Sequence, residues 1–136
     1  FRGLAARYPD KVGLRLGFIP ELARKIYAAS DMFLMPSKSE PCGLSQMVAL
    51  RYGSVPIVRE TGGLRDSVTD CGDGEGNGFT FKSYNAHHML DAIRRALTLY
   101  YNGDWAALTL RAMECDYSWG RSANQYIRLY KEVLKG

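Results

Sequence analysis

The stretch that decides the fold reads Pro36-Ser37-Lys38-Ser39-Glu40-Pro41-Cys42-Gly43-Leu44-Ser45-Gln46. It follows the short apolar run Met32-Phe33-Leu34-Met35, which is typical of a strand buried on both faces of a parallel sheet. It precedes a segment with helical spacing over residues 43–51, and Gly53 stands at the usual stop position of a helix. The stretch is therefore expected to join the carboxyl end of a buried strand to the amino end of a helix.

Strands and helices alternate along the chain on both sides of this stretch. Strands are predicted over residues 12–18, 32–35, 55–58 and 79–81, and helices over residues 21–29, 43–51, 86–101, 105–115 and 120–134. A glycine-rich loop is expected over residues 70–78. Repeated strand–helix–strand order implies right-handed crossovers and helices on both sides of the sheet. The predicted fold class is α/β: a partial Rossmann-like, doubly wound parallel sheet with C-terminal helices.

Composition favours an ordinary globular domain in a reducing compartment. The 136 residues are 46% hydrophobic and 24% charged, enough for one core. The net charge of +4 comes from scattered basic residues, which gives little support to nucleic-acid binding. Cys42, Cys71 and Cys115 are far apart, so neither a disulfide framework nor a zinc site is indicated. No apolar run has the length of a membrane span, and no secretory signal pattern is present. Residues 1–8 are interpreted as the end of an amphipathic helix whose start is missing, which indicates a fragment.

The turn after the 32–35 strand has the chemistry of an anion site. Free N–H groups of Gly43, Leu44 and Ser45 at a helix start favour an anion such as a diphosphate. The carboxylate of Glu40, just before them, is suited to accept hydrogen bonds from sugar hydroxyls or to stabilise positive charge as a glycosidic bond to phosphate breaks. On these grounds alone, a plain proline-containing turn with an exposed acidic residue remains an equal alternative.

Three motifs together carry a family resemblance. They are Glu40-Pro41-Cys42-Gly43-Leu44, Arg51-Tyr52-Gly53 and Thr61-Gly62-Gly63-Leu64. With these motifs the chain resembles the bacterial glycogen synthase and plant starch synthase family of retaining glycosyltransferases, and the resemblance covers practically the whole chain. It implies the C-terminal lobe of a two-lobed, GT-B type enzyme.

The resemblance implies an activity and its partners. Glucose would pass from ADP-glucose or UDP-glucose to the non-reducing end of an α-1,4-glucan, with retention and without a cofactor or metal. Residues 1–117 would form the nucleotide-sugar lobe, truncated at its N-terminus, and residues 118–136 a helix that crosses back to the missing N-terminal lobe. The family's basic phosphate-binding residues lie upstream, so this chain alone is predicted to be inactive. A cytoplasmic protein, with no nucleic-acid or membrane partner, is expected.

The resemblance also assigns residues in the deciding stretch. Glu40 matches the family's active-site glutamate near the glucose. Cys42 and Gly43 match positions whose backbone N–H groups bind sugar hydroxyls. Leu44 and Ser45 match the diphosphate-binding helix start.

Other positions are assigned less firmly by the same resemblance. Phe18 matches an aromatic residue that faces the nucleotide base, although a core position is an equal alternative. Val48 stands where many related glycosyltransferases carry a second glutamate, so no second carboxylate is assigned. Thr61, Gly62 and Gly63 are expected to form a loop that shapes the wall of the cleft.

Two groups of side chains resemble metal ligands but lack the spacing. His87 and His88 are adjacent at a helix start and point about 100° apart, so they are interpreted as solvated or capping residues. A second group lacks the pattern of a calcium loop and is interpreted as a turn-rich loop; its members are Asp70, Asp73, Glu75 and Asn77. No metal site is predicted.

Two other functions fit the same turn. One is a free-standing sugar-nucleotide or glucan binding module with a regulatory role. The other is a different two-lobed glycosyltransferase that acts on lipid or small-molecule acceptors. Part of the apolar face of the last helix would be exposed in this chain, so self-association or marginal stability is also predicted.

Overall fold

The computed structural model describes residues 1–72 and 74–135. The helices are α1 (Arg2–Arg7), α2 (Pro20–Ala29), α3 (Ser45–Tyr52), α4 (Gly63–Ser67), α5 (Ala86–Asn102), α6 (Trp105–Glu114) and α7 (Trp119–Val133), and the strands are β1 (Met32–Met35), β2 (Val55–Arg59) and β3 (Phe79–Phe81).

The three strands form one parallel sheet in the order β1-β2-β3. Met32 pairs with Val55 across the first interface, and Ile57 pairs with Phe79 across the second. The central strand β2 is buried along residues 55–58, as expected for a strand with helices on both faces. The predicted parallel α/β sheet is confirmed.

The alternation of side chains divides the core between the two faces of the sheet. On one face, Val55, Ile57 and Phe79 pack with Ala92 and other buried residues of α5 and α6. On the opposite face, Val58 packs against Leu64 of α4 and Val68. Helical layers therefore lie on both sides, which is the doubly wound arrangement.

Two sequence predictions about the strands are wrong. Residues 12–18 form no strand, and the side chains of Leu16 and Phe18 are 62% and 90% exposed. A strand is stabilised by a hydrogen-bonded neighbour, and within the described residues the sheet ends at β1. The second wrong prediction is burial of β1 on both faces: its residues are only partly buried, and Leu34 is 42% exposed, so one face of this edge strand is incompletely covered.

The helix ends follow the local sequence. Gly53 ends α3 in the left-handed conformation, with φ of 77°, as the sequence predicts. The side chains of Asn85, Asp104 and Ser118 each accept a backbone N–H bond at the start of α5, α6 and α7, at 2.7, 3.0 and 3.4 Å. These caps explain why the predicted starts of the long helices lie within one residue of those observed.

Helix α7 stands apart from the core. None of its residues is buried, and Trp119 at its start is 89% exposed. By contrast, Trp105 at the start of α6 stacks on Phe79, with the ring centroids 6.4 Å apart. No helix in the described part of the chain combines the length and the apolarity needed to cross a membrane.

Candidate functional site

Two turns meet beyond the carboxyl ends of β1 and β2. The first follows β1 and carries Glu40, and the second follows β2 and carries Gly62 and Gly63. The N–H group of Gly63 donates to the carbonyl oxygen of Glu40 at 3.2 Å. Ligands of open α/β sheets bind in this position, outside the carboxyl ends of the strands. The structure thus brings together two motifs that lie more than 20 residues apart in the sequence.

The start of α3 presents backbone donors. Leu44 is the residue before the helix, and its side chain forms no capping hydrogen bond. Gly43 lies in the turn with φ of 74°. Among the described residues, the backbone N–H groups of residues 42–47 have no hydrogen-bond acceptor. Unpaired N–H groups and the positive end of the helix dipole together favour an anion here.

Glu40 comes directly before these donors in the chain, and its carboxylate is not engaged elsewhere in the described part of the chain. Its residue is half-buried, and its carboxylate forms no hydrogen bond or ion pair with any other described residue. Its backbone, in contrast, is fixed by the bond from Gly63. A fixed backbone with a free carboxylate is what a group that binds or stabilises a ligand requires.

The glycine pair supports the Glu40 turn by close contact. A Cβ atom on Gly62 would overlap the carbonyl oxygen of Glu40, and one on Gly63 would overlap the carbonyl oxygen of Cys42. Gly62 also has φ of 46°, in the region that favours glycine. The prediction of a loop for this motif is wrong in one respect, because α4 begins at Gly63. A helix forms here because Leu64 is buried against the sheet.

Arg59 fixes the other side of the same turn. Its guanidinium donates to the carbonyl oxygens of Ser37 (3.0 Å) and Lys38, and also to that of Lys82 (3.3 Å). It lies over the ring of Tyr84, 5.9 Å from the centroid. Sequence reasoning did not find this role. A charged side chain bonded to backbone carbonyls leaves no pattern in the sequence.

Gln46 and Ser67 were also missed. Gln46 is fully buried, and its amide nitrogen donates to the carbonyl oxygen of Gly43 at 2.8 Å and to the hydroxyl of Ser67 at 3.0 Å. The Ser67 hydroxyl donates to the carbonyl oxygen of Gly63 at 2.6 Å. The signal that would have indicated them is a polar amide at the second residue of a helix that packs on the sheet, since a buried polar group needs hydrogen-bond partners.

The end of α4 is held by side chains from two other segments. The hydroxyl of Tyr117 and the amide of Asn77 (3.0 Å) both donate to the carbonyl oxygen of Ser67. Burial, together with the neighbouring Cys115, raises the pKa of Tyr117 to about 12. The phenol therefore remains a hydrogen-bond donor at neutral pH.

The remaining predicted site residues have different environments. Phe18 is 90% exposed and makes no ring contact in the described part of the chain, so the alternative of a core aromatic is wrong. Its contact with a nucleotide base stays a prediction. Cys42 and Leu44 are exposed, and Ser45 is half-buried, all at the start of α3.

Asp70 belongs to a structural network rather than to a cation site. It pairs with Arg95 at 2.8 Å and accepts a backbone N–H bond from Thr80 at 2.7 Å. Burial raises the pKa of Asp70, but the bonds from Thr80 and Arg95 and the charge of Arg95 outweigh it, so the pKa lies below its usual value. Asp73, part of the loop considered above, lies outside the described residues. Asn77 turns inward to Ser67 instead of outward to an ion.

The adjacent histidines lie at the exposed start of α5. The N–H group of His87 is capped by the side chain of Asn85 at 2.7 Å, and His88 is exposed. Within residues 1–72 and 74–135, no three His, Cys, Asp or Glu side chains lie close enough together to hold a metal ion.

Comparison with known proteins gives consistent matches. The family model "Glycosyl transferases group 1" matches residues 6–104. The chain is 58% identical to the glycogen synthase of Geobacillus thermodenitrificans and 56% identical to that of Clostridium novyi, over 99% and 98% of its length. It covers 28% and 29% of those proteins. The resemblance inferred from the sequence is confirmed.

Solved structures agree with the sequence matches. The catalytic domain of starch synthase IV from Arabidopsis thaliana, bound to ADP and acarbose, superposes with a TM-score of 0.84 and 42% identity. The match covers 99% of this chain and 29% of that one. A sucrose-phosphate synthase from Thermosynechococcus elongatus superposes with a TM-score of 0.69 and 26% identity, over 98% of this chain and 33% of that one.

Proposed function

Since the chain belongs to the family of group 1 glycosyl transferases, we propose that it forms the nucleotide-sugar side of a glycogen or starch synthase. The whole enzyme would transfer glucose from ADP-glucose or UDP-glucose to the non-reducing end of an α-1,4-glucan. The observation that carries this proposal is that one turn holds both the unengaged carboxylate of Glu40 and the unpaired N–H groups at the start of α3.

Each part of the site has a role in the proposed transfer. The N–H groups at the start of α3 bind the diphosphate and neutralise the charge that grows on it as it leaves. The carboxylate of Glu40 stabilises the positive charge that develops at the anomeric carbon. The bond from that carbon to the diphosphate oxygen breaks, a bond to the glucan hydroxyl oxygen forms, and the hydroxyl proton leaves with the nucleoside diphosphate. The configuration at the anomeric carbon is retained.

The remaining parts of the enzyme follow from its proposed two-lobed form. The chain covers 28% of the Geobacillus protein, which is consistent with a second lobe, outside these 136 residues, that would close the cleft and bind the glucan. Residues 1–117 would be the nucleotide-sugar lobe, with Phe18 against the base. Residues 118–136 would be a helix that crosses to the other lobe, which is consistent with the exposure of α7. A cytoplasmic location is part of the same proposal.

The test joins this chain to the other lobe of a related glycogen synthase. The chain replaces the matching part of the glycogen synthase of Geobacillus thermodenitrificans, and this chimera is assayed for glucose transfer to glycogen from ADP-glucose and from UDP-glucose. We expect transfer, and a loss of about 100-fold in kcat for Glu40→Gln. Glu114→Gln, a matched change of an exposed carboxylate at the end of α6, should leave kcat within about twofold.

The outcomes separate the proposed enzyme from the alternatives. A chimera that folds but transfers no glucose from either donor would refute the proposed function. Equal activity of the Glu40→Gln and Glu114→Gln variants would refute the role of Glu40. Tight binding of ADP to the 136-residue chain alone, measured by calorimetry, would favour a free-standing binding module.

A further inference from the structure

A closed ring of contacts surrounds the Glu40 turn. The amide of Gln46 donates both to the carbonyl of Gly43 and to the hydroxyl of Ser67, and that hydroxyl donates to the carbonyl of Gly63. The N–H of the same Gly63 donates to the carbonyl of Glu40, from which the chain runs back to Gly43. The part of the ring formed by the side chains of Gln46 and Ser67 is called the Gln46–Ser67 relay below. The relay connects the start of α3 to the start of α4.

The relay is buried and touches no ligand surface. Gln46 is 0% exposed and Ser67 is 7% exposed. An ideal Cβ atom on Gly43 would lie 2.6 Å from Oε1 of Gln46, so the glutamine side chain fills the space beside that glycine. These side chains can therefore affect a bound sugar nucleotide only through the backbone atoms they hold.

The glutamine amide leaves one of its own polar atoms unsatisfied. Its Oε1 atom is buried and has no hydrogen-bond partner among the described residues. A buried acceptor without a donor is destabilising; an apolar side chain of the same shape avoids that cost at Oε1 but leaves the carbonyl oxygen of Gly43 without its donor. A glutamine here is explained by its N–H donors, which an apolar side chain lacks.

We propose that Gln46 and Ser67 are positioning residues of the transfer site. By holding Gly43 and Gly63 together, they set the distance between the carboxylate of Glu40 and the N–H groups of α3. Because diphosphate and glucose are joined by one bond, this distance decides whether both can be bound at once in the reacting geometry. This inference rests on the proposed function.

The first test uses two matched serine variants. Ser67→Ala breaks the relay, while Ser54→Ala removes a buried hydroxyl at the other end of α3, where it bonds the hydroxyl of Ser30 at 2.8 Å. Both variants should lower the thermal midpoint of the 136-residue chain. In the chimera, Ser67→Ala should lower kcat/KM for the sugar nucleotide about tenfold, and Ser54→Ala should change it less than about twofold. Equal effects of the two variants on kcat/KM would overturn the proposal.

The second test separates positioning from stability. Gln46→Met keeps the length of the side chain and removes both the donors and the unpartnered oxygen. Its thermal midpoint should fall by no more than that of Ser54→Ala, because the loss of the donors to Gly43 and Ser67 is partly offset by removal of the unpartnered oxygen, while kcat/KM in the chimera falls about tenfold. If kcat/KM followed the midpoint across all the variants, the relay would be structural only, and the proposal would be wrong.

A third measurement does not depend on activity. In the 136-residue chain, Ser67→Ala and Gln46→Met should each speed hydrogen exchange of the Gly63 N–H, which bonds to Glu40, relative to Ser54→Ala. Unchanged exchange in both would overturn the relay. If the unchanged chimera transferred no glucose but exchange responded as expected, the proposed function would fail while the connection between the two turns would stand.

Discussion

Gly63 donates its N–H group to the carbonyl oxygen of Glu40, and there is no room for a side chain on Gly63 because the carbonyl of Cys42 lies against it. Gly63→Ala should therefore push the two turns apart and cost about 1–3 kcal/mol of unfolding free energy. Gly13→Ala adds the same methyl group where no atom lies within 4 Å. Chemical denaturation of both variants measures the difference, and equal stability would mean that the turns are not in close contact.

Arg59→Lys tests whether the guanidinium of Arg59 holds the backbone of residues 37–38 in place. Lysine keeps the charge but cannot donate to the carbonyls of Ser37 and Lys38 in the fixed geometry of a guanidinium. We expect a loss of about 1–2 kcal/mol in unfolding free energy and a lower kcat/KM for the sugar nucleotide in the chimera. The control is Arg65→Lys, at an exposed residue of α4. Identical results for the two arginines would contradict the role given to Arg59.

Asp70 should make stability dependent on acid pH. Its pKa is lower in the folded chain than the unfolded value of about 3.9, so its contribution is present above that value and is lost as the pH falls through the folded pKa. Asp70→Asn should be less stable than the unchanged chain at pH 7 and closer to it at pH 3. Urea unfolding at both pH values measures this. Asp10→Asn, at an exposed residue, should show no such convergence.

Tyr117 should make stability dependent on alkaline pH. Its pKa is raised to about 12 in the folded chain, compared with about 10 in the unfolded chain. The contribution is therefore complete below about pH 10 and is lost as the pH rises towards 12. Tyr117→Phe should be about 1 kcal/mol less stable at pH 8, because Ser67 loses a donor, and it should lose less stability between pH 10 and 12. Tyr101→Phe, 74% exposed, is the matched control.

Helix α7 should form the contact surface through which the chain self-associates. Tyr126, Tyr130 and Val133 are 59%, 61% and 70% exposed along it. A chain shortened to residues 1–117 should remain folded, because α7 contributes no buried residue, and should sediment as a monomer at concentrations where the 136-residue chain associates. Continued association of the shortened chain would place the contact surface elsewhere.

The sequence predicted the elements that depend on local patterns. The strand over residues 32–35 and the capped helices from Asn85 onward were found because apolar spacing and capping residues act over a few positions. The prediction of a strand over residues 12–18 is wrong, because a strand there would need a neighbouring strand to pair with and the alternation of apolar and polar residues is not enough.

The candidate site was predictable in its motifs but not in its internal support. Glu40 and the start of α3 stood out as a turn between a strand and a helix. The bonds of Arg59 to residues 37–38 and of Gln46 to Ser67 join positions 21 or 22 residues apart. Such contacts depend on the packing of β2 and α4 against the first turn, which no local spacing encodes.

The fluorescence of the two tryptophans can be used to follow how this chain packs in the whole enzyme. Trp105 is half-buried and stacks on Phe79 against the core, whereas Trp119 is 89% exposed at the first turn of α7. Their fluorescence should therefore differ in wavelength and in accessibility to an aqueous quencher. In the chimera, a shift of the Trp119 emission to shorter wavelength, together with protection from iodide, would support the proposal that the last helix docks on the other lobe, and unchanged emission would count against it.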